Sequence, residues 1–308
     1  MRYQRVTVVG GSGFIGRYIV KRLAAKGAVV AAVSRYAAAA GFLRPMGDVG
    51  QVVPIEASLG DEAALAASVA GADAVICSVG ILYERGRQTF DAVHNLGAAR
   101  LARLARAAGA KRFVHISAIG ADIHSPSAYG RSKALGEAAV RGAFPGAVVL
   151  RPSIVFGPED DFFNRFAALA RYLPALPLIG GGRTRFQPVY VGDVADAVVA
   201  ALEHHDAPGR IYQLGGPAIY SFKELMELML REIRRRRVLV NLPFPLARLQ
   251  AAFLEWLPKP PLTRDQVRLL ERDNVVAPGA TGLGDLGVTP TAVELVLPTY
   301  LDRFRRGG

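Results

Sequence analysis

The sequence predicts an α/β protein: a doubly wound parallel sheet with a smaller, mostly helical C-terminal lobe. Three observations carry that reading. Short β-branched runs alternate with Ala/Leu-rich helical stretches over the first two-thirds of the chain, as in a parallel sheet covered by helices on both faces. A glycine-rich turn separates the first such run from the first helical stretch. Beyond about residue 155 the helical segments are separated by proline-containing connectors at Pro174, Pro177, Pro243, Pro245, Pro258, Pro260 and Pro261.

In chain order, Val6–Val9 is the first strand, Gly10–Gly16 a turn, and a helix runs on through Lys26. Ala28–Ser34, Val52–Ile55, Ala74–Val79, Arg112–Ser117 and Ala147–Leu150 are further strands, with helices near 61–70, 91–108 and 128–142. Ile211–Leu214 reads as a late strand returning to the sheet. Ser221 with Glu224, and Thr263 with Gln266, have capping-box spacing and should start helices. A length of 308 residues fits two lobes. The expected division is 1–155 plus about 189–216 for the sheet lobe, and about 156–188 plus 217–308 for the smaller one.

With 51% hydrophobic and 21% charged residues the chain has material for a core, which excludes disorder. The formal charge of +12 favours acidic partners such as nucleotide phosphates, anionic lipid or an acidic protein face, although a genome biased toward arginine explains it as well. Nucleic acid is not expected, since basic and aromatic residues do not interleave. The single cysteine, Cys77, excludes an intramolecular disulfide and fits a reducing compartment. The five histidines show no metal-ligand spacing, so no metal is expected, and His115 reads as a packed core residue.

No apolar run is long enough to span a bilayer, and the N-terminus lacks a signal-peptide pattern. Arg234–Arg237 should end an amphipathic helix, serving either its dipole or a docking patch. Residues 243–257 are apolar around most of a helix, as either core or a membrane- or partner-facing surface.

The chemistry starts at Gly10-Gly11-Ser12-Gly13-Phe14-Ile15-Gly16, with glycines at positions 1, 4 and 7 between a strand and a helix. In that setting the first glycine makes the turn, the second lets backbone N–H groups approach a pyrophosphate, and the third lets helix and strand pack closely, which is a Rossmann-type dinucleotide turn. A protein preferring NAD places a carboxylate at the end of the second strand to hold the ribose 2′-hydroxyl. Here Arg35 occupies that place, Arg17 follows the motif, and no Asp or Glu occurs between the glycines and Asp48. Guanidinium groups can pair with a 2′-phosphate, so the expected cofactor is NADP(H).

Tyr129 and Lys133 form a Tyr-x-x-x-Lys pair at the start of a helix, just after the strand that ends in Ser117. Residues four apart share a helical face, so the ammonium can lie near the phenol and lower its pKa toward proton-transfer range. Lys133 can also hold ribose hydroxyls.

With these residues the chain resembles the extended and atypical short-chain dehydrogenase/reductase superfamily. The marks are the 10–16 turn, Tyr129/Lys133, Arg151-Pro152-Ser153-Ile154-Val155-Phe156-Gly157-Pro158, and Pro188-Val189-Tyr190-Val191-Gly192-Asp193-Val194-Ala195. The resemblance implies cofactor contacts from Gly10, Ser12, Gly13, Phe14, Ile15, Gly16 and Arg17 in the turn, and from Arg35 beyond it. It adds Ser78, Val79 and Gly80 after the fourth strand, then Ser117, Tyr129 and Lys133, and finally Pro152, Ser153 and Val155 beside the nicotinamide. The implied catalytic set is Tyr129, Lys133 and Ser117. In active members a second Ser or Thr commonly polarises the substrate carbonyl, whereas here Ala118 follows Ser117. The Asp that often meets the adenine amine is replaced by Ala57-Ser58.

Within that superfamily the chain is similar to the nucleotide-binding accessory subunits of respiratory complex I, the alpha-subcomplex subunit 9 family. The similarity lies in Leu43-Arg44-Pro45-Met46-Gly47-Asp48-Val49-Gly50-Gln51, Pro158-Glu159-Asp160-Asp161-Phe162-Phe163-Asn164 and Leu242-Pro243-Phe244-Pro245. It implies NADP(H) held in a mainly structural role, and complex I subunits near the junction of peripheral arm and membrane as partners. It also implies a bacterial-type protein in the cytoplasm or on the cytoplasmic face of the inner membrane. The alternative is a working NADPH-dependent reductase or epimerase acting on a hydrophobic, quinone- or isoprenoid-like substrate, with Tyr129 as proton donor and Lys133 as its activator. A third option, a sensor of NADPH against NADP⁺, has no residue that marks it.

Overall fold

The computed structural model describes residues 3–305. Seven strands form one parallel sheet: β1 (Arg5–Val9), β2 (Val29–Ser34), β3 (Val52–Glu56), β4 (Ala74–Cys77), β5 (Arg112–Ile116), β6 (Val148–Pro152) and β7 (Ile211–Leu214). Their spatial order is β7-β6-β5-β4-β1-β2-β3. The chain therefore winds outward from β1 in one direction and then resumes beside β1 in the other. The crevice at the carboxyl ends of β1 and β4 is this reversal point, where doubly wound sheets bind ligands.

Helices α1 (Phe14–Ala25), α2 (Glu62–Val69), α3 (Ala98–Ala107), α4 (Ala128–Ala143), α5 (Phe163–Tyr172) and α6 (Val191–Glu203) follow. One face of the sheet packs Val8, Val30 and Ile76 against Ile19 and Leu23 of α1 and Val198 and Leu202 of α6. The other face packs Val33, Val75 and Phe113 against Leu65, Leu101 and Val140. Four residues of β4 in a row are buried, as expected of a central parallel strand covered on both sides.

The smaller lobe has its own core, in which Phe156, Phe163 and Leu176 meet Phe222, Met226 and Met229 of α7 (Phe222–Glu232). Both capping boxes form: Ser221 with Glu224 starts α7, and Thr263 with Gln266 starts α9 (Arg264–Leu269). Between them lies α8 (Phe244–Leu254).

Several elements differ from the sequence reading. The strand expected to reach Val79 ends at Cys77, although the Ser78 N–H still bonds the Val9 carbonyl of β1. The helix expected over 91–108 is a π-helical turn, Asp91–Gly97, running into α3. Pro177 lies in a strand: Ala175–Ile179 pairs in parallel with Val238–Leu242, a two-stranded ribbon whose edges tolerate proline. Leu283 and Leu286, far along the chain, pack back into the core of the sheet lobe.

The arginine run lies beyond α7, with Arg234 at φ 53°. Arg235 donates to the carbonyl of Phe304 and Arg237 to that of Ala170 in α5, so both hold the segment after α7 against the rest of the lobe. In α8 only a narrow stripe, Ala247 and Ala251, is buried, while Phe253 is 71% and the following Trp256 89% exposed. The apolar 243–257 stretch is thus largely a surface. No helix among the described residues is long and apolar enough to cross a membrane.

Candidate functional site

The glycine turn lies at the crevice. The N–H groups of Gly10 and Gly11 both bond the carbonyl of Val33 at the end of β2, at 2.9 and 3.1 Å. Gly10 has φ +88°, and a Cβ there would lie 2.9 Å from Ser78 Oγ. At Gly16 a Cβ would come within 2.0 Å of the Gly10 carbonyl oxygen, so only glycine lets α1 approach the turn this closely. Gly13 caps α1 without any side-chain hydrogen bond, and the first turn contains no acid. The helix thus presents its positive end to the crevice through Phe14 and Ile15, the arrangement that suits a pyrophosphate. Ser78 closes the turn from β4, its hydroxyl donating to the Val9 carbonyl at 3.0 Å.

The two arginines have different surroundings. Arg35 is exposed at the end of β2. Arg17 bonds the carbonyls of Gly13 and Ser12, stacks over Phe42 at 4.8 Å, and sits 3.4 Å from Glu159, which also accepts from Tyr18. Arg17 therefore clamps the loop and the segment after β6. Its charge is already matched by Glu159, which a sequence reading of a second phosphate ligand does not anticipate. Glu56, the carboxylate across from Ser34 on β3, accepts from Ala37 N.

Helix α4 carries the chemistry on successive turns: Tyr129, Lys133 and Glu137. Lys133 is buried and donates to the Ile116 carbonyl at 3.1 Å. Burial pushes its ammonium down to about 8, against the opposing charges of Cys77 and Glu137. Tyr129 is pushed up to about 12 by burial. The expectation that Lys133 lowers the phenol is therefore corrected. The ammonium lies 5.9 Å from the ring centroid, engaged by a main-chain oxygen, and desolvation dominates.

Ser117 is also placed differently from a substrate-facing hydroxyl, because it donates to Glu137. Glu137 in turn takes a two-pronged bond from Arg151 at 2.8 and 2.6 Å, tying α4 to β6 beneath the site. With Ala118 next in sequence, neither position offers a free hydroxyl to an oxyanion. The Ser153 hydroxyl is held by Asn274, at 2.7 Å from its side-chain oxygen, and Val155 pairs with Val189 in a short strand connection between the lobes.

Sequence reasoning missed His94. It lies in the π-helical turn, a distortion that often marks functional positions. Ile81 N–H donates to its Nε2 at 3.0 Å. Ser132 donates its own proton to Tyr129 O, so it accepts from His94 Nδ1–H at 2.9 Å. The ring is thus a neutral Nδ1–H tautomer, set edge-to-face on Tyr129 and stacked on Phe90. Burial, then the charges of Lys133 and His115, push it down to about 3. Gly136 lets α4 meet this turn, since a Cβ there would sit 2.0 Å from His94 O. No local signal in the sequence marks His94 as the link between the β4 loop and α4.

His115 lies in the core as expected, but both ring nitrogens lack hydrogen-bond partners among the described residues. Burial, and then Lys133, push it down to about 3. Both histidines stay neutral in the fold yet take up protons in the unfolded chain below about 6.5, so stability falls as pH drops through that value. Each is expected to contribute a slope of up to about 1.4 kcal/mol per pH unit between pH 6 and 4. Urea denaturation of His115→Leu should show a stability slope between pH 6 and 4 shallower than the parent's by up to about 1.4 kcal/mol per pH unit. It should also show a gain of about 1–2 kcal/mol at pH 7, from removing two orphaned polar atoms. An unchanged pH slope would contradict this placement.

No group of three or more His, Cys, Asp or Glu that could hold a metal occurs among the described residues. The NAD dependent epimerase/dehydratase family matches residues 6–215. The chain is 38% identical over 314 residues to the Arabidopsis thaliana protein named NADH dehydrogenase (ubiquinone) 1 alpha subcomplex subunit 9, mitochondrial, covering 98% of this chain and 78% of that protein. It is 34% identical over 195 residues to a Caulobacter vibrioides protein named ceramide reductase, covering 63% of this chain and 60% of that one. The crystal structure of DesIV, a dTDP-glucose 4,6-dehydratase from Streptomyces venezuelae, superposes with a TM-score of 0.75 at 20% identity, covering 98% of this chain and 96% of that one. The chain thus belongs to the NAD dependent epimerase/dehydratase family and, within it, to the family of the alpha subcomplex subunit 9 proteins.

Proposed function

We propose that this protein holds NADP(H) as a largely structural cofactor and serves as an accessory or assembly subunit of respiratory complex I. The observation that carries the cofactor reading is Arg35, an exposed guanidinium at the end of β2, where a protein preferring NAD presents an acid. The glycine turn fits the dinucleotide, because glycine at positions 10 and 16 lets the turn lie close against Ser78 and the start of α1, leaving backbone N–H groups rather than side chains at the amino end of the helix. On this reading the amides of the turn from Ser12 to Gly16 meet the pyrophosphate. Ser78, Val79 and Gly80 border the nicotinamide ribose, Lys133 and Tyr129 hold that ribose, and Pro152, Ser153 and Val155 flank the ring. When bound, the nicotinamide is a hydride donor or acceptor.

The residues around it favour retention over turnover: Ser117 is held by Glu137, position 118 is alanine, and Tyr129 is a weak acid at about 12. A ligand that binds the folded state alone stabilises it by mass action, which gives a cofactor that is not turned over a physical purpose. The names of the relatives support complex I as the partner assembly. The exposed apolar face of α8 and Trp256 suits docking at the junction of peripheral arm and membrane, with the chain on the cytoplasmic side.

Two findings favour the second reading, a working NADPH-dependent reductase or epimerase on a hydrophobic substrate. The Tyr129/Lys133 pair is intact, and a relative over 63% of the chain is named ceramide reductase. In that case Tyr129 donates the proton to the carbonyl oxygen as hydride arrives.

Titration with NADPH and NADH tests the cofactor reading. NADPH should bind at least tenfold more tightly, and Arg35→Ala should weaken NADPH by about 10- to 100-fold, as loss of a charged hydrogen bond does, while leaving NADH unchanged. Equal affinities for the two in the parent would contradict it.

A further inference from the structure

The amino end of α4, from which Tyr129 projects, is capped twice. Ser127 supplies a side-chain cap to Gly130 N at 3.3 Å. In addition, Asp265 reaches across from α9 in the other lobe. Its carboxylate accepts from Ala128 N at 2.7 Å, Tyr129 N at 3.0 Å and the Ser127 hydroxyl at 2.7 Å. Three donors on one part-buried carboxylate at a helix N-terminus make a strong, directional lock, because the charge also meets the positive end of the helix dipole. Among the described residues, the other charged group close to this carboxylate is Arg268, one turn along α9 at 3.8 Å. Asp265 is fixed in turn by the capping box of α9 and by Arg264, which pairs with Glu255 just beyond α8.

We propose that Asp265 is a positioning residue for Tyr129 and Lys133, and that it couples the nucleotide crevice to the seating of α8 and α9. The proposal rests on the reading of the crevice as a dinucleotide site. Withdrawing α9 leaves Ala128 N and Tyr129 N without their acceptor, so the first turn of α4 loosens and Tyr129 shifts. Conversely, a dinucleotide that fixes Tyr129 and Lys133 holds the turn to which Asp265 binds. By linkage the effect has the same size in both directions.

The test uses the full chain at 15 °C, with circular dichroism required to show parent and variants folded before each titration. Asp265→Ala is expected to bind NADPH about tenfold more weakly. Asp265→Asn, which keeps one acceptor oxygen, should fall in between at about threefold. In the parent, NADPH should slow amide hydrogen exchange in residues 255–270 as well as in 127–133, and Asp265→Ala should abolish the slowing in 255–270 alone. A merely structural role would lower the melting temperature but would leave the affinity at 15 °C and this exchange pattern intact. Equal NADPH affinity in parent and Asp265→Ala, or exchange in 255–270 indifferent to NADPH, overturns the coupling while sparing the cofactor reading. A parent that binds no dinucleotide overturns both.

Discussion

Replacing Lys133 by methionine should stabilise the protein without nucleotide and at the same time cripple its hold on NADPH. Lys133 is 4% exposed, and burial lowers the pKa of its ammonium from 10.5 to about 8. The unfolded chain therefore binds this proton more tightly than the folded one. The mismatch opposes folding at pH 7 by about 3 kcal/mol at 1.36 kcal/mol per unit. The sign follows from the window: between pH 8 and 10.5 the unfolded state carries the extra proton, so stability rises with pH there. Methionine fills similar space without a charge, but it leaves the Ile116 carbonyl short of one donor. The net gain should be about 2 kcal/mol at pH 7, with the rise above pH 8 removed. NADPH affinity should fall about 100-fold if the ammonium holds the ribose. Urea denaturation at pH 7, 8, 9 and 10 with parallel titrations checks both halves. A variant less stable than the parent, with its alkaline rise intact, would contradict the burial argument.

The second large effect is expected beneath the site. Glu137 and Arg151 form a two-pronged pair whose acid is 4% exposed, and Ser117 adds a further donor. Removing one partner of such a pair leaves a buried charge uncompensated and costs about 3–5 kcal/mol. Glu137→Ala should therefore unfold at markedly lower urea concentration, and Arg151→Met should behave alike. The double change Glu137→Leu with Arg151→Met should recover most of the loss, because well-packed apolar residues often replace a buried ion pair without penalty. The surface pair Arg264–Glu255 is the control, where Glu255→Ala should cost no more than about 1 kcal/mol. A loss at Glu137 as small as that control would show that the pair does not anchor α4 to β6.

The parts of this protein legible in its sequence are those fixed over a few residues. The glycine turn, the Tyr129/Lys133 spacing, both capping boxes and the strand–helix alternation all depend on near neighbours. What was not legible depends on distant partners. His94 matters because Ile81 and Ser132 reach it, and Asp265 because α9 packs across α4. Arg17 read as a free cation, yet Glu159, supplied by the segment after β6, meets it. Tyr129 read as an acidified phenol, since spacing places a lysine nearby but cannot show that the ammonium donates to Ile116 O or that burial of the phenol dominates. The strand at Pro177 and the exposed face of α8 likewise follow from which segment lies alongside, a property of the assembled lobe.

The most direct measurement is native mass spectrometry of the protein purified without added nucleotide, followed by identification of what it releases. One NADPH or NADP⁺ per chain is expected, retained in the parent and lost from Arg35→Ala. Release of NAD⁺ or NADH instead, or of no dinucleotide from a folded parent, would contradict the cofactor reading.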